Sequence, residues 1–215
     1  SASPEIYALA QNWAGEFCKA NPTYKINIVE QQDTKEGTPL KNSATLSFFD
    51  AASLKDLNNS SAWNIVVGRN VTVPVMNAHN PYIDGIARKG ISAENLSRLL
   101  QNPGSLDWGL FLGSGVKFPL HYYASSDRSV QEGLKSYLNN DQLKNSGIAK
   151  ARARELVTQI GNDPNGLGFC KLSDLTNNTG SHLSGNIRLV PIDKNGNGQI
   201  DFMEDIYDNL QDFSR

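Results

Sequence analysis

Cysteine and long hydrophobic runs are scarce in this chain of 215 residues, and each scarcity excludes a class of protein. Two cysteines are too few for a disulfide scaffold, and they lack the spacing of a metal site. Cys18 and Cys170 both stand among apolar residues, which predicts two buried free thiols, with a mutual disulfide as the alternative. No apolar run approaches the roughly 18 residues of a membrane span, and no signal peptide is recognisable, so we expect a soluble chain.

Excess positive charge and catalytic motifs are also lacking. The 20 basic and 22 acidic residues nearly balance, with no basic tract, which argues against nucleic acid as a partner. There is no nucleophile elbow, zincin helix or Walker loop, and "GSGVK" at 113–117 lacks the spacing of a phosphate loop. His79, His121 and His182 are too far apart for metal-ligand spacing and are interpreted as surface or packing residues. We therefore do not expect an enzyme.

Alternating segments with helix and strand periodicity predict an α/β protein. The helical segments are "SASPEIYALAQNWAGEFCKANP", "ISAENLSRLLQNP", "SVQEGLKSYL" and "GIAKARARELVTQIG". Strand character is found in "YKINIVEQ", "KFPLHYYA", "GLGFCKL" and "IRLVPI". The stretch "WNIVVGRNVTVPVMNAHNPY" predicts two successive extended segments, because Gly68 and Pro74 interrupt any single central strand. The length allows one large domain or two lobes of about 100 residues each.

The clearest motif is "DKNGNGQIDFME" at 193–204, which has the spacing of an EF-hand calcium loop. Oxygen ligands are expected from Asp193, Asn195, Asn197, Asp201 and Glu204 at positions 1, 3, 5, 9 and 12, and from the Gln199 carbonyl at position 7. Gly198 stands where the loop turns sharply, and Ile200 where an apolar side chain can anchor it. The alternatives are a Gly/Asn-rich turn whose acidic residues face water, or the acidic first turn of the following helix. A strand-like segment precedes the loop, unlike in a sensor EF-hand. Because only Asp193, Asp201 and Glu204 are charged, we expect a structural Ca²⁺ ion at high ambient calcium rather than a cytosolic switch.

A second polar cluster, "SSDRS" at 125–129, lies where a predicted strand ends and a helix begins. Free backbone N–H groups and the positive end of the helix dipole favour an anion at such a place, and hydroxyls and a guanidinium add donors. The alternative is that Ser126 or Asp127 only caps the helix while Arg128 is solvated. "SASPE" at the N-terminus presents the same choice, with Ser3 as either a helix cap or an anion ligand.

Several segments, taken in order over residues 4–192, resemble the type II periplasmic solute-binding proteins of the phosphate-binding kind that serve ABC transporters. The similar segments are "VTVPVMNAHNPY", "ISAENLSRLLQNPGSLDWG", "YYASSDRSVQEGLKSYL" and "VTQIGNDPNGLGFCKL". The resemblance implies an α/β two-lobed periplasmic binding protein type II fold with hinge strands, lacking or trimmed at the first strand. It implies a first lobe over 1–73, a second lobe over 74–168, and a return to the first lobe over 169–215.

By the same resemblance, the protein captures a small, phosphate-like oxyanion in an interlobe cleft and delivers it to an ABC permease. The ligand residues implied by position are Ser3, Asn77, Ser126, Arg128 and Ser129. The family's Ser-Gly-Thr loop is replaced here by Arg128, Ser129 and Val130. We expect a monomer in the periplasm or at the cell surface, free or lipid-anchored. The alternative function is a calcium-stabilised surface or adhesion module for a protein or glycan partner.

Overall fold

The computed structural model describes residues 1–3, 6–30, 46–48, 63–69, 71–101, 107–115, 117–143, 147–175, 183 and 186–207. The chain divides into two compact units, Ser1–Ile65 and Val66–Arg215. The expected lobe boundaries at 73/74 and 168/169 stay predictions. Residues 168 and 169 lie within one unbroken strand, Gly166–Lys171, whose partner strands belong to the second unit.

In the first unit, the described residues form one helix and a small set of strand bridges. Helix α1 is Tyr7–Ala20. Ala2 forms parallel bridges with Glu30 and with Phe48, so the predicted strand "YKINIVEQ" contributes one bridged residue among those described. Ser3 does not cap α1, contrary to one of the two expectations for it, because the helix starts later, with Ile6 as an N-cap that makes no side-chain hydrogen bond.

The second unit is built on a five-stranded sheet in the order β4-β3-β5-β1-β6. The strands are β1 (Thr72–Asn77), β2 (Ile91–Ser92), β3 (His121–Ser125), β4 (Ala149–Ala151), β5 (Gly166–Lys171), β6 (Ile187–Leu189) and β7 (Ile192–Asp193). β3 runs parallel to β4 and β5, whereas β1 runs antiparallel to β5 and β6. β2 and β7 form a separate parallel pair.

Helices cover both faces of this sheet. They are α2 (Ile83–Lys89), α3 (Ala93–Gln101), α4 (Trp108–Leu112), α5 (Arg128–Leu138), α6 (Ala153–Asn162) and α7 (Leu172–Leu175). Val73 and Val75 of β1 pack in a cluster with Leu156 and Ile160 of α6. Met76 packs in a second cluster with residues of α3 and α5. Successive side chains of a strand point to opposite faces, which explains why β1 is apolar throughout its centre.

The helical patterns of α3 and α5 are confirmed. Ser92 is the expected cap of α3, since its Oγ accepts a hydrogen bond from the backbone N–H of Asn95 at 3.3 Å. The prediction of one helix over "GIAKARARELVTQIG" is partly wrong, because 149–151 forms strand β4 and the helix begins only at Ala153. The predicted helix after the loop is not formed over 202–207, which contains turns, and its remainder lies outside the described residues.

Both cysteines are free, so the disulfide alternative is wrong. Cys170 is buried on β5, and burial raises the pKa of its thiol well above the usual range. Cys18 on α1 is only partly buried. His79 is exposed and His121 contacts Asp163 at 2.7 Å, whereas His182 lies outside the described residues. No helix in the described part of the chain is long and apolar enough to cross a membrane.

Gly168 on β5 allows α6 to pack closely against the sheet. A Cβ atom there would stand 2.7 Å from Cδ1 of Ile160 and 2.9 Å from the carbonyl oxygen of Tyr123 on the neighbouring strand. The Ile160 side chain can shift, but the Tyr123 carbonyl belongs to the β-sheet backbone. The absence of a side chain at this position therefore sets the distance between helix and sheet.

We expect Gly168→Ala to destabilise the protein by about 1–3 kcal/mol, because overpacking a core forces strain on its neighbours. Urea unfolding followed by circular dichroism measures the loss. Gly161→Ala in α6 is the matched control, since its Cβ would meet only ordinary contacts at 3.8 Å and beyond. It should be neutral or stabilising by up to about 1 kcal/mol, from helix propensity. Equal stability of the two variants would show that α6 does not depend on the close approach.

Candidate functional site

The carboxyl ends of three parallel strands meet at one edge of the sheet in the second unit. Ser125 at the end of β3 pairs in register with Ala151 at the end of β4. β5 also runs parallel to β3 and ends at Lys171. This edge is where ligands bind in open α/β sheets, because helix starts and strand-end loops gather there. The predicted cluster 125–129 belongs to this edge.

Asp127 closes the start of α5 with its own carboxylate. Its Oδ1 accepts hydrogen bonds from the backbone N–H of Ser129 at 2.8 Å and of Val130 at 3.4 Å. The Ser129 hydroxyl donates to the same oxygen at 2.8 Å. These are the donors that sequence analysis expected an external anion to use. Of the two readings left open, capping is therefore what the structure displays, with Asp127 rather than Ser126 as the cap.

Lys171 completes the environment of this carboxylate. Its Nζ lies 2.6 Å from Asp127 Oδ2, and its side chain is only 7% exposed. Burial alone would raise the pKa of Asp127, but hydrogen bonds from Lys171 and Ser129 outweigh it and hold that pKa below the usual range. Burial raises the pKa of the neighbouring Asp174, although the Lys171 charge opposes the shift. Asp127 is therefore an ionised, fully hydrogen-bonded group at neutral pH.

The two remaining residues of this cluster, Ser126 and Arg128, have exposed side chains. The backbone N–H of Ser126 donates to the carbonyl of Ala151 at 2.9 Å, which ties the end of β3 to the end of β4. Ser126 directly follows β3, and Arg128 is the first residue of α5. Both groups donate hydrogen bonds to oxyanions.

Asn77 is not brought together with these residues. β1 runs antiparallel to β5, so Thr72 pairs with Lys171, whereas Asn77 lies five residues away at the opposite edge, roughly 16 Å along the strand. Its Nδ2 donates to the carbonyls of Ile160 at 2.8 Å and Gly161 at 2.9 Å. Both amide hydrogens are thus used to fasten the end of α6. Asn77 thus has a packing role in the structure, and its ligand role stays a prediction.

Ser3 lies in the first unit and is buried, with 4% exposure. Its backbone N–H donates to the carbonyl of Phe48 at 3.0 Å. Its hydroxyl oxygen has no hydrogen-bond partner among the residues that the structure describes. A buried hydroxyl without a partner costs about 1–3 kcal/mol, so such groups commonly mark a place where a ligand or water binds.

The predicted calcium loop is folded so that its polar side chains face one another. The Asp193 carboxylate is buried and accepts hydrogen bonds from the backbone N–H groups of Gly196 at 2.7 Å and Gly198 at 2.8 Å. The side-chain amides of Asn195 and Asn197 donate to Asp201 Oδ2 at 2.7 and 3.0 Å. Gly198 has φ +84°, which fits the sharp turn expected there.

Glu204 closes the loop by accepting hydrogen bonds from the backbone N–H groups of Lys194 at 2.8 Å and Asp201 at 3.2 Å. Within the described ranges, no group of three or more His, Cys, Asp or Glu side chains is arranged to hold a metal. The carboxylates here contact loop N–H groups and amides. The side chains of Asp193, Asn195, Asn197, Asp201 and Glu204 are thus joined by hydrogen bonds within the loop, whereas the metal assignment, including the Gln199 carbonyl, stays a prediction.

The loop is attached to the second unit through the turn between α2 and β2. The backbone N–H of Ile200 donates to the carbonyl of Arg88 at 2.8 Å, and that of Ile91 donates to the carbonyl of Pro191 at 2.8 Å. Gly90 has φ +67°, and a Cβ there would clash with the Ile200 side chain and stand 2.9 Å from the Asp193 nitrogen. Ile200 therefore anchors the loop as expected.

Two basic residues at the strand ends, Lys171 and Arg152, were not predicted from the sequence. Lys171 ends an apolar strand, where a buried cation is rare without a partner, and its partner is 44 positions earlier in the chain. Arg152 follows β4 and precedes α6. Both residues could have been predicted only from the rule that the carboxyl ends of parallel strands lie at the same edge of a sheet.

The sequence matches no protein-family model and no curated protein. Solved structures do match. A phosphate ABC-type transport receptor from Vibrio cholerae matches with a TM-score of 0.53 at 10% identity, over 90% of this chain and 76% of the receptor. A proposed phosphate ABC transporter substrate-binding protein with bound phosphate, from Clostridium perfringens, matches with a TM-score of 0.51 at 12% identity, over 89% of this chain and 74% of that protein.

A third structure, of a proposed phosphate-binding protein from Planctomyces limnophilus, matches with a TM-score of 0.50 at 11% identity, over 90% of this chain and 69% of that protein. At such low identity the similarity establishes the fold. The predicted fold class is confirmed: this chain has the mixed α/β fold of the periplasmic binding proteins.

Proposed function

We propose that this protein is an extracytoplasmic solute-binding protein that captures a small, phosphate-like oxyanion for an ABC transporter. The proposal names a binding function without a catalytic step. Micromolar affinity, about 8 kcal/mol, would suffice for capture. The fold supports the proposal because the three matched structures carry phosphate-binding or phosphate-transport descriptions.

The observation that carries the proposal is the Ser3 hydroxyl. It is buried, lacks a partner among the described residues, and precedes a helix whose N-cap makes no side-chain hydrogen bond. An oxyanion that accepted this hydroxyl would remove the cost of an unsatisfied buried group and would be stabilised by the N-terminal end of α1. A neutral apolar ligand would do neither.

Taken by itself, the second unit offers the side chains of Ser126 and Arg128 as proposed oxyanion donors. The backbone start of α5 is already satisfied by Asp127, so we leave Ser129 in its observed role as a donor to that carboxylate. Of the residues predicted at 125–129, Ser126 and Arg128 therefore stay in the proposed ligand set and Ser129 does not. The partner proposed for delivery is an ABC permease, with the protein acting as a monomer in the periplasm or at the cell surface.

We also propose that Ca²⁺ binds the loop 193–204 and braces the second unit. The support is the twelve-residue ligand spacing, the left-handed Gly198 and the convergence of Asn195, Asn197 and Asp201. Ca²⁺ binding would require the asparagine oxygens to face inward in place of the amide nitrogens. The ion would supply charge compensation for Asp193, Asp201 and Glu204.

The oxyanion proposal is tested by isothermal titration of the full chain with inorganic phosphate and sulfate. Binding of at least one anion is expected, and Ser3→Ala should weaken it about 10- to 100-fold, the usual loss when a hydrogen bond to a charged group is removed. Ser1→Ala is the control, because the Ser1 hydroxyl is exposed and already contacts Ser47 at 2.9 Å. Absence of heat from every anion would reject the function, whereas an unchanged Ser3→Ala affinity would reject only the role of Ser3.

The calcium proposal is tested by thermal unfolding with calcium and with a chelator. With calcium about 100-fold above Kd, binding stabilises the fold by about 2.7 kcal/mol, which corresponds to a Tm difference of roughly 5–10 °C for a unit of this size. Glu204→Gln should abolish the difference. Glu155→Gln, an exposed carboxylate on α6, should keep it. A wild-type Tm that is the same with and without calcium would contradict a filled site.

A further inference from the structure

We infer that Arg152 is a second guanidinium that binds the anion at the strand ends of the second unit, beside Ser126 and Arg128. The inference rests on the proposed function and extends it, because it identifies a binding residue outside the predicted set.

The start of α5 offers few backbone hydrogen-bond donors to a ligand. The N–H groups of Ser129 and Val130 are taken by Asp127, and the N–H of Ser126 is taken by the carbonyl of Ala151. An anion at this edge must therefore be held mainly by side chains. Guanidinium groups are suited to this task because they present several N–H donors in a fixed plane.

The register of β3 and β4 sets the position of Arg152. Ser125 and Ala151 are paired in register on adjacent parallel strands, so the next residues, Ser126 and Arg152, leave the sheet side by side. Adjacent strands are about 4.8 Å apart, and a bidentate guanidinium reaches across such a gap. Arg152 has an extended backbone, with φ −76° and ψ 161°, and its side chain is exposed.

The charge balance at the edge supports the same inference. Lys171 and Asp127 neutralise each other at 2.6 Å, so this pair adds little net charge. Arg152 adds a positive charge at the residue that follows Ala151, the register partner of Ser125. No side chain caps α6, so no carboxylate of the cap type competes with a ligand next to Arg152. A guanidinium at this position favours an oxyanion over a neutral ligand.

Arg154 provides a matched control for Arg152. It is exposed like Arg152 and stands two residues further along, inside α6, where its charge acts on Asp174. Replacing either arginine by glutamine removes one positive charge from the same short stretch. Only Arg152 stands at the strand end beside Ser126.

The experiment titrates inorganic phosphate and sulfate into the full chain and into Arg152→Gln, Arg152→Lys and Arg154→Gln. We expect about tenfold or greater weakening for Arg152→Gln, and a smaller loss for Arg152→Lys, which keeps the charge and loses the planar fork. Arg154→Gln should stay within about twofold of the unchanged protein, as expected for an exposed charge outside the site. Circular dichroism melting checks that each variant is folded. If Arg152→Gln is not folded, the anion affinity of Arg152→Lys decides whether Arg152 binds the ligand.

The titrations distinguish failure of the proposed oxyanion-binding function from failure of the role of Arg152 alone. If the unchanged protein binds neither anion, the proposed function fails, and this inference fails with it. If it binds and Arg152→Gln binds equally well, only the inference about Arg152 is overturned. Equal weakening by Arg152→Gln and Arg154→Gln would also overturn it, because that result reports general attraction rather than a specific contact.

Discussion

The ion pair between Asp127 and Lys171 determines the arrangement of the strand-end edge. Both side chains are largely buried, at 17% and 7% exposure, so removing either partner would leave a buried charge, which typically costs about 3–5 kcal/mol. The pair fixes the residue at which α5 begins and joins that helix to the end of β5. It also uses the helix-start donors internally. Any ligand at this edge must therefore be recognised by the groups around the pair rather than by the helix terminus itself.

The sequence predicted those parts of the fold that depend on local patterns. α3 and α5 followed from apolar periodicity and from caps within three residues, and β5 followed from its apolar run. β4 was missed because "KARARE" has good helix formers and its strand pairing with β3 involves residues about 26 positions away. The same difference between local patterns and long-range contacts decides which site residues could be predicted. The cluster 125–129 is contiguous and was found, whereas the partnership with Lys171 is created by folding.

Asn77 illustrates how a residue that suits a ligand role can be used by the scaffold. An amide can donate two hydrogen bonds and accept others, and from sequence alone its partners are unknown. In the structure both hydrogens are donated to carbonyls at the end of α6, and the oxygen accepts the N–H of His79 at 2.7 Å. The antiparallel direction of β1 then sets it at the far edge from Ser126. Only the sheet topology contains this information.

The burial of Cys170 in the middle of the sheet has a practical consequence. Its thiol, with a raised pKa, is shielded by an apolar cluster that includes Leu156 and Ile160, while Cys18 on α1 is more accessible. A thiol reagent should therefore modify the two sulfur atoms at different rates, with the slower reaction limited by transient opening of the central strands. The reactivity of Cys18 therefore reports on the surface of the first unit, and that of Cys170 on the cooperative opening of the second.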